Sequence, residues 1–209
     1  MTRKDLEGIV EVLKDKNIIV ISDEIYSELT YNGKHVSIAN FPEMKDKTIL
    51  INGFSKAFAM TGWRLGYVCG HPELIEAMYK VHQFAIMCSS TTAQYAAIEA
   101  LRNADADVER MVREYNRRRK VLLKGFREAR LECFEALGAF YLFPSIKSTG
   151  MTSTEFCEKL LIEEKVAVVP GDAFGECGEG FVRVCYSRSM DDIVEAVNRI
   201  KRFVKRNKK

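Results

Sequence analysis

A lysine at the end of an apolar run, followed eight residues later by an arginine, is the most chemically loaded spacing in this sequence. Lys56 lies in the stretch Gly53–Tyr67, between the apolar runs Thr48–Ile51 and Leu65–Cys69, where a buried strand emerges into a loop. Lysines ordinarily stay solvated at surfaces. One held in a semi-buried, electropositive setting loses its proton more readily and forms a Schiff base with a carbonyl. Ser55 beside it and Arg64 beyond it offer a hydroxyl and a planar guanidinium fork, and the fork suits a phosphate dianion better than an ammonium does. A lone arginine is more often part of a rim salt bridge; the neighbouring Ser55-Lys56 pair shifts the reading towards phosphate. A second group follows the apolar run Asn17–Ile21, which reads as a strand buried on both faces of a parallel sheet. Ligands of open α/β sheets sit beyond the carboxyl ends of strands, and Asp23 falls there, with the phenol of Tyr26 three residues on. The plainer alternative is that Asp23 and Glu24 cap a following helix while Tyr26 packs. A third group is Arg183, in the alternating run Phe181–Tyr186, where an arginine between apolar neighbours is costly unless an anion pairs with it.

The stretch Gly53–Tyr67 reads Gly-Phe-Ser-Lys-Ala-Phe-Ala-Met-Thr-Gly-Trp-Arg-Leu-Gly-Tyr. It resembles the lysine signature of the class I/II aminotransferases, the aspartate-aminotransferase-like (fold type I) pyridoxal-phosphate enzymes. Ser55-Lys56, Met60–Arg64 and Leu65–Tyr67 all fall at the family's spacing, and the likeness extends to Asp23-x-x-Tyr26, Gly138–Tyr141 and Pro170–Gly175. The resemblance implies that Lys56 holds pyridoxal 5'-phosphate, with Ser55 and Arg64 on its phosphate. It implies that Asp23 pairs with the protonated pyridine nitrogen, keeping the cofactor an electron sink, and that Tyr26 hydrogen-bonds the ring's phenolic oxygen. Arg183 is then the residue that grips the substrate α-carboxylate through two parallel hydrogen bonds. The implied reaction is transamination between an L-amino acid and a 2-oxo acid, with Lys56 shuttling the proton, in a homodimer.

Members of this family are roughly twice as long, so the chain is expected to be the C-terminal half of one. The family's glycine-rich phosphate turn, its ring-stacking aromatic and its asparagine on the ring oxygen belong to the other half, and weak or no turnover is expected of these 209 residues alone. A pyridoxal-phosphate-dependent carbon–sulfur lyase and a non-catalytic aminotransferase-like fragment are the alternative functions.

The elements that must position these groups read as an α/β chain. Residues 1–105 are expected to form the C-terminal part of a large cofactor-binding domain, a mainly parallel sheet with helices. Residues 106–209 are expected to form a long linking helix and a small α+β domain. Helical spacing marks residues 2–16, capped by Thr2 and Asp5, and 72–83, 93–101 and 106–129, the third with an apolar face of Ala93, Ala97 and Leu101. Thr152-x-x-Glu155 and Ser189-x-x-Asp192 cap two more helices, the last ending in a basic tail, Lys201–Lys209, expected to fray. His35 reads as loop decoration beside Asn32-Gly33, and Arg117–Lys120 as a solvated helix face.

Composition narrows the classes further. A net charge of +3 is too small to argue for nucleic acid. The six cysteines show no Cys-x-x-Cys spacing and read as reduced and intracellular, and none of the three histidines pairs with a cysteine at metal-ligand spacing. No apolar run is long enough to span a bilayer, so a cytoplasmic location is expected.

Overall fold

The computed structural model describes residues 1–207, which divide into two compact units, Met1–Val112 and the residues from Arg113 onward. The division falls inside a helix, later than the 105/106 boundary expected from sequence.

The first unit opens with α1 (Arg3–Leu13), started by a reciprocal capping box. Asp5 N–H donates to Thr2 Oγ1 at 3.3 Å, and Thr2 N–H donates to Asp5 Oδ2 at 2.6 Å. Its apolar face, Leu6 and Val10, packs on Ile38, Phe41 and Met44, the last from the short α2 (Pro42–Lys45). Three strands follow as one sheet in the order β1-β2-β3: β1 (Val20–Asp23), β2 (Thr48–Gly53) and β3 (Gly66–Cys69).

β1 and β2 are parallel, with Asp23 opposite Ile51, whereas β3 runs antiparallel to β2. This corrects the expectation of a mainly parallel sheet. A parallel return needs a crossover, usually a helix. Residues 54–65 instead hold a tight turn and one 3₁₀ turn (Thr61–Trp63), so the chain turns straight back. The reversal requires glycine on both strands: Gly53 stands opposite Gly66, and a Cβ on Gly53 would lie 2.9 Å from the Gly66 Cα. The expectation that β1 is buried on both faces is corrected as well. Along β1 half-buried residues alternate with exposed ones, and Ile21 is 67% exposed.

α3 (Pro72–Ala85) and α4 (Thr91–Asn103) complete this unit together with the start of α5 (Asp105–Ala129). Ala93 and Ala97 of α4 are buried as their spacing predicts, but Leu101 is exposed. Ser90 occupies the N-cap of α4 without a side-chain capping bond. No residue of α3 is buried, and Phe84 is 95% exposed.

The second unit packs the remainder of α5 with α6 (Ser153–Glu164) and α7 (Met190–Asn207) around an antiparallel sheet. Its strands are β4 (Tyr141–Leu142), β5 (Val169–Pro170) and β6 (Val182–Cys185), in the order β4-β6-β5. Thr152 and Ser189 accept the capping hydrogen bonds of α6 and α7 from the backbone of Glu155 and Asp192. Ile193, Val197, Ile200, Phe203 and Val204 form the buried stripe of α7, and α5 meets it so closely that a Cβ at Gly125 would lie 2.4 Å from Val197. α7 continues through Lys201 to Asn207, so the expected fraying does not begin at Lys201; Lys208 and Lys209 lie outside the described residues.

The basic run on α5 is not a uniformly solvated face. Arg117 and Arg118 pair with Glu114, but Arg119 is only 5% exposed and donates to Glu135, the Ala136 carbonyl and Asn116. A buried guanidinium is tolerated because each side of its fork meets an acceptor.

All six cysteines are free. Burial pushes the Cys157 thiol up to about 11. At pH 8 roughly one Cys157 in a thousand is then a thiolate, the reactive form. Iodoacetamide at that pH is expected to label exposed Cys69, Cys88 and Cys177 well before Cys157, an order read by peptide mass spectrometry. Among the described residues, no helix is long and apolar enough to cross a membrane.

Candidate active site

In the first unit the sheet directions collect the chemistry-bearing residues. β1 and β2 are parallel, so their carboxyl ends lie at the same edge, and antiparallel β3 starts there. Asp23 ends β1 and Tyr26 follows it, Ser55 and Lys56 follow β2, and Arg64 precedes β3, so all five stand at one end of the sheet.

β1 hands over to a turn rather than to a helix, which removes the helix-capping alternative for Asp23 and Glu24. Asp23 Oδ1 accepts from the Ile25 N–H at 3.1 Å, and the Glu24 N–H donates to the Ile51 carbonyl at 2.8 Å, carrying the pairing with β2 one residue further. Ser27 N–H to Glu24 and Leu29 N–H to Tyr26 close the turn that displays the Tyr26 ring.

The lysine turn is held from beneath. Phe58 and Met60 donate their N–H groups to the Phe54 carbonyl at 3.3 and 3.2 Å, and the Ala59 N–H donates to the Lys56 carbonyl at 3.3 Å. Phe54, Ala57 and Met60 are buried, with Phe54 and Met60 packed on Ala97 of α4 and Phe54 edge-on to Tyr67 at 6.0 Å. With these apolar residues fixed to the unit's interior, Ser55 and Lys56 are left half-buried, and Lys56 Nζ sits 5.9 Å from the centroid of the Tyr26 ring. Arg64 is exposed, adopts the left-handed conformation at φ 52°, and donates from Nη1 to the Thr61 carbonyl at 2.7 Å. Trp63 beside it is exposed rather than packed.

Two side-chain links had no local signature in the sequence. Asn52 Nδ2 donates to Ser27 Oγ at 3.1 Å, while Asn52 Oδ1 accepts the Gly53 N–H at 2.7 Å, so one amide ties the lysine strand to the Tyr26 turn. Glu24, 7% exposed, accepts from His35 Nε2 at 2.7 Å, Ser37 Oγ at 2.6 Å and Ser22 Oγ at 3.1 Å. His35 is therefore a partner of a buried carboxylate, not the loop decoration expected. A part-buried Glu-His contact across eleven residues of irregular chain carries no periodic or motif signal.

Arg183 belongs to the second unit, at the middle of β6 opposite Val169. Its guanidinium carbon lies 4.6 Å from the centroid of Tyr141 and 4.4 Å from that of Phe174, between two aromatic rings. Among the described residues no carboxylate forms an ion pair with it, which disfavours a structural salt bridge. Ring faces attract the cation without using its N–H donors, so the fork remains able to take an anion.

Comparison with known proteins gives a consistent set of relatives. The profile of the family "Aminotransferase class I and II" matches residues 1–200. The chain is 46% identical over 211 aligned residues to an aspartate aminotransferase of Pyrococcus abyssi, covering 100% of this chain and 54% of that protein. It is 43% identical to aromatic-amino-acid aminotransferase 2 of Thermococcus litoralis, again over 100% of this chain and 54% of the relative. The crystal structure of an aromatic aminotransferase from Pyrococcus horikoshii superposes with a TM-score of 0.96 at 45% identity, covering 99% of this chain and 56% of that one. The chain thus spans about half the length of the relatives it matches.

Proposed function

This chain belongs to the class I and II aminotransferases, and from that premise we propose that it is the lysine-bearing, C-terminal part of a pyridoxal-phosphate-dependent enzyme. The activity is transfer of an amino group from an L-amino acid to a 2-oxo acid. The observation that carries this reading is the half-buried Lys56 with its ammonium over the Tyr26 ring at 5.9 Å, on the sheet end that also bears Asp23, Ser55 and Arg64.

The donor set fits pyridoxal phosphate group for group: an amine for the aldehyde, a carboxylate for a protonated ring nitrogen, a phenol for the ring oxygen, and a hydroxyl and guanidinium for the phosphate. When bound, the cofactor supplies an aldehyde that takes up amines and a ring that accepts electron density from the substrate's α-carbon. Lys56 would hold the cofactor through its aldehyde and would move the proton at the substrate's α-carbon. Asp23 keeps the ring nitrogen protonated, Tyr26 donates to the ring oxygen, and Ser55 and Arg64 anchor the phosphate. Arg183 orients the substrate by its α-carboxylate, with Tyr141 and Phe174 keeping its guanidinium plane in place. The two units then correspond to the family's large cofactor-binding domain and its small α+β domain, and the assembled enzyme is a cytoplasmic homodimer. The relatives this chain matches are about twice as long, and we propose that the 209-residue chain alone turns over weakly or not at all.

The test is borohydride reduction of the purified chain with added pyridoxal phosphate. Mass spectrometry is expected to find one cofactor fixed on Lys56; label spread over surface lysines instead would overturn the assignment. Turnover releasing ammonia with a 2-oxo acid, and forming no new amino acid, would replace transamination by elimination.

Arg183→Ala is expected to weaken amino-acid binding by the cofactor-loaded chain by roughly 10- to 100-fold, the loss of charge-assisted hydrogen bonds to one carboxylate. Arg183→Lys restores only part of it, because an ammonium cannot make the two parallel bonds. Spectral titration with amino acid reads both, and unchanged affinity in Arg183→Ala would remove Arg183 from the substrate site.

A further inference from the structure

The buried carboxylate of Glu24 has no part in the roles above, yet its side chain bonds three others. It lies between Asp23 and Ile25, immediately before Tyr26. From the reading of the site just given, we infer that Glu24, with His35, Ser37 and Ser22, is a positioning clamp that holds Asp23 and Tyr26 in register with Lys56.

The argument is geometric. Asp23 is the last residue of β1, and after Glu24 the sheet no longer supports the chain. The Tyr26 turn therefore depends on its own hydrogen bonds and on whatever anchors its base. The Glu24 backbone anchors it to β2 through the Ile51 carbonyl, and its side chain anchors it a second time. Oε1 accepts from Ser37 at 2.6 Å and Ser22 at 3.1 Å, and Oε2 meets His35 at 2.7 Å.

Ser37 and His35 sit on the segment leading to Ile38, Phe41 and Met44, which are buried against α1. Ser37 also accepts the Ala39 N–H at 3.1 Å and so caps the 3₁₀ turn there. Glu24 thus connects the site turn to the segment that packs against α1. A carboxylate this buried is tolerated because three polar side chains bond it, and deleting it removes all three bonds at once. The Asn52–Ser27 bond ties the same turn to the lysine strand from the other side, so the Tyr26 turn is held at two points.

The test uses the 209-residue chain with pyridoxal phosphate, comparing the wild type with Glu24→Ala, Glu24→Gln and the milder Ser37→Ala. Val10→Ala serves as a control that loosens the α1 core without touching the clamp. Two readouts separate positioning from stability: the affinity for cofactor, measured as the concentration that half-saturates borohydride labelling of Lys56, and the visible spectrum of the bound cofactor, which responds to what faces its ring nitrogen and oxygen. Glu24→Ala is expected to weaken cofactor binding about tenfold and shift the spectrum, the effect of losing one charge-assisted network. Glu24→Gln and Ser37→Ala are expected to fall between, since each keeps part of the network. Val10→Ala is expected to lower the melting temperature and leave both readouts unchanged. If wild type never labels at Lys56, the proposed function fails and the clamp with it. If wild type labels but Glu24→Gln and Ser37→Ala match it in affinity and spectrum, or Val10→Ala matches the Glu24 variants, the clamp alone is overturned.

Discussion

Replacing Lys56 by alanine is expected to eliminate borohydride-fixed pyridoxal phosphate and to lower any turnover of the assembled enzyme by about 10²- to 10⁴-fold, the range of a lost general acid–base group. The covalent readout is all-or-none, because, of the five residues placed at this sheet end, only Lys56 carries an amine that can lose its proton: Arg64 keeps its charge, and Asp23, Tyr26 and Ser55 offer a carboxylate, a phenol and a hydroxyl. The fold is expected to survive. The turn is held by buried Phe54, Ala57 and Met60 and by its backbone bonds, none of which uses the lysine side chain. A circular dichroism melt matching wild type, with no labelled Lys56 peptide, is the expected pair of results. Labelling of Lys56→Ala at a single other lysine would move the cofactor elsewhere on the chain.

The largest stability loss is expected at Phe203. Its side chain is 0% exposed and meets Phe156 edge-on, with centroids 5.2 Å apart at 87°, where α7 packs on α6. Phe203→Ala is expected to cost about 3–5 kcal/mol, from lost apolar transfer together with the cavity left behind. That exceeds the loss at a half-buried position because Phe156 loses its ring partner and the surrounding core is close-packed, with little freedom to fill the space. Urea denaturation is the measurement. A shift in midpoint worth less than about 1 kcal/mol would mean that this core relaxes around the gap. Phe203 belongs to the second unit, so labelling of Lys56 in native buffer provides a separate check on the first.

Local rules carried much of the architecture. The capping pairs at Thr2, Thr152 and Ser189 start helices where the sequence places them, and the apolar stripe of α7 is buried as its spacing requires. Departures arise where a residue's surroundings come from far along the chain. Ile21 and Leu101 are apolar residues in correctly placed elements, yet both are exposed, since periodicity reports which face is apolar and not whether anything covers it. Arg119 reads as one cation in a basic run, but Glu135 and the Ala136 carbonyl reach it from beyond the helix end. β3 reads as a strand in either direction; the glycine pair Gly53 and Gly66 and the helix-free connection decide that it turns back.

Sequence alone determined the chemical inventory and the family: Ser55, Lys56 and Arg64 at fixed spacing on one segment, with Asp23 and Tyr26 on another, because such motifs are local in the chain and survive as strings. Only the tertiary structure decided that these segments end at the same edge of one sheet. It alone placed the Lys56 ammonium against the Tyr26 ring, set Arg183 between the rings of Tyr141 and Phe174, and gathered His35, Ser37 and Ser22 around Glu24. Strand direction and the approach of side chains eleven to thirty residues apart depend on how the chain closes its loops, a property of the whole packing that no short run of residues encodes.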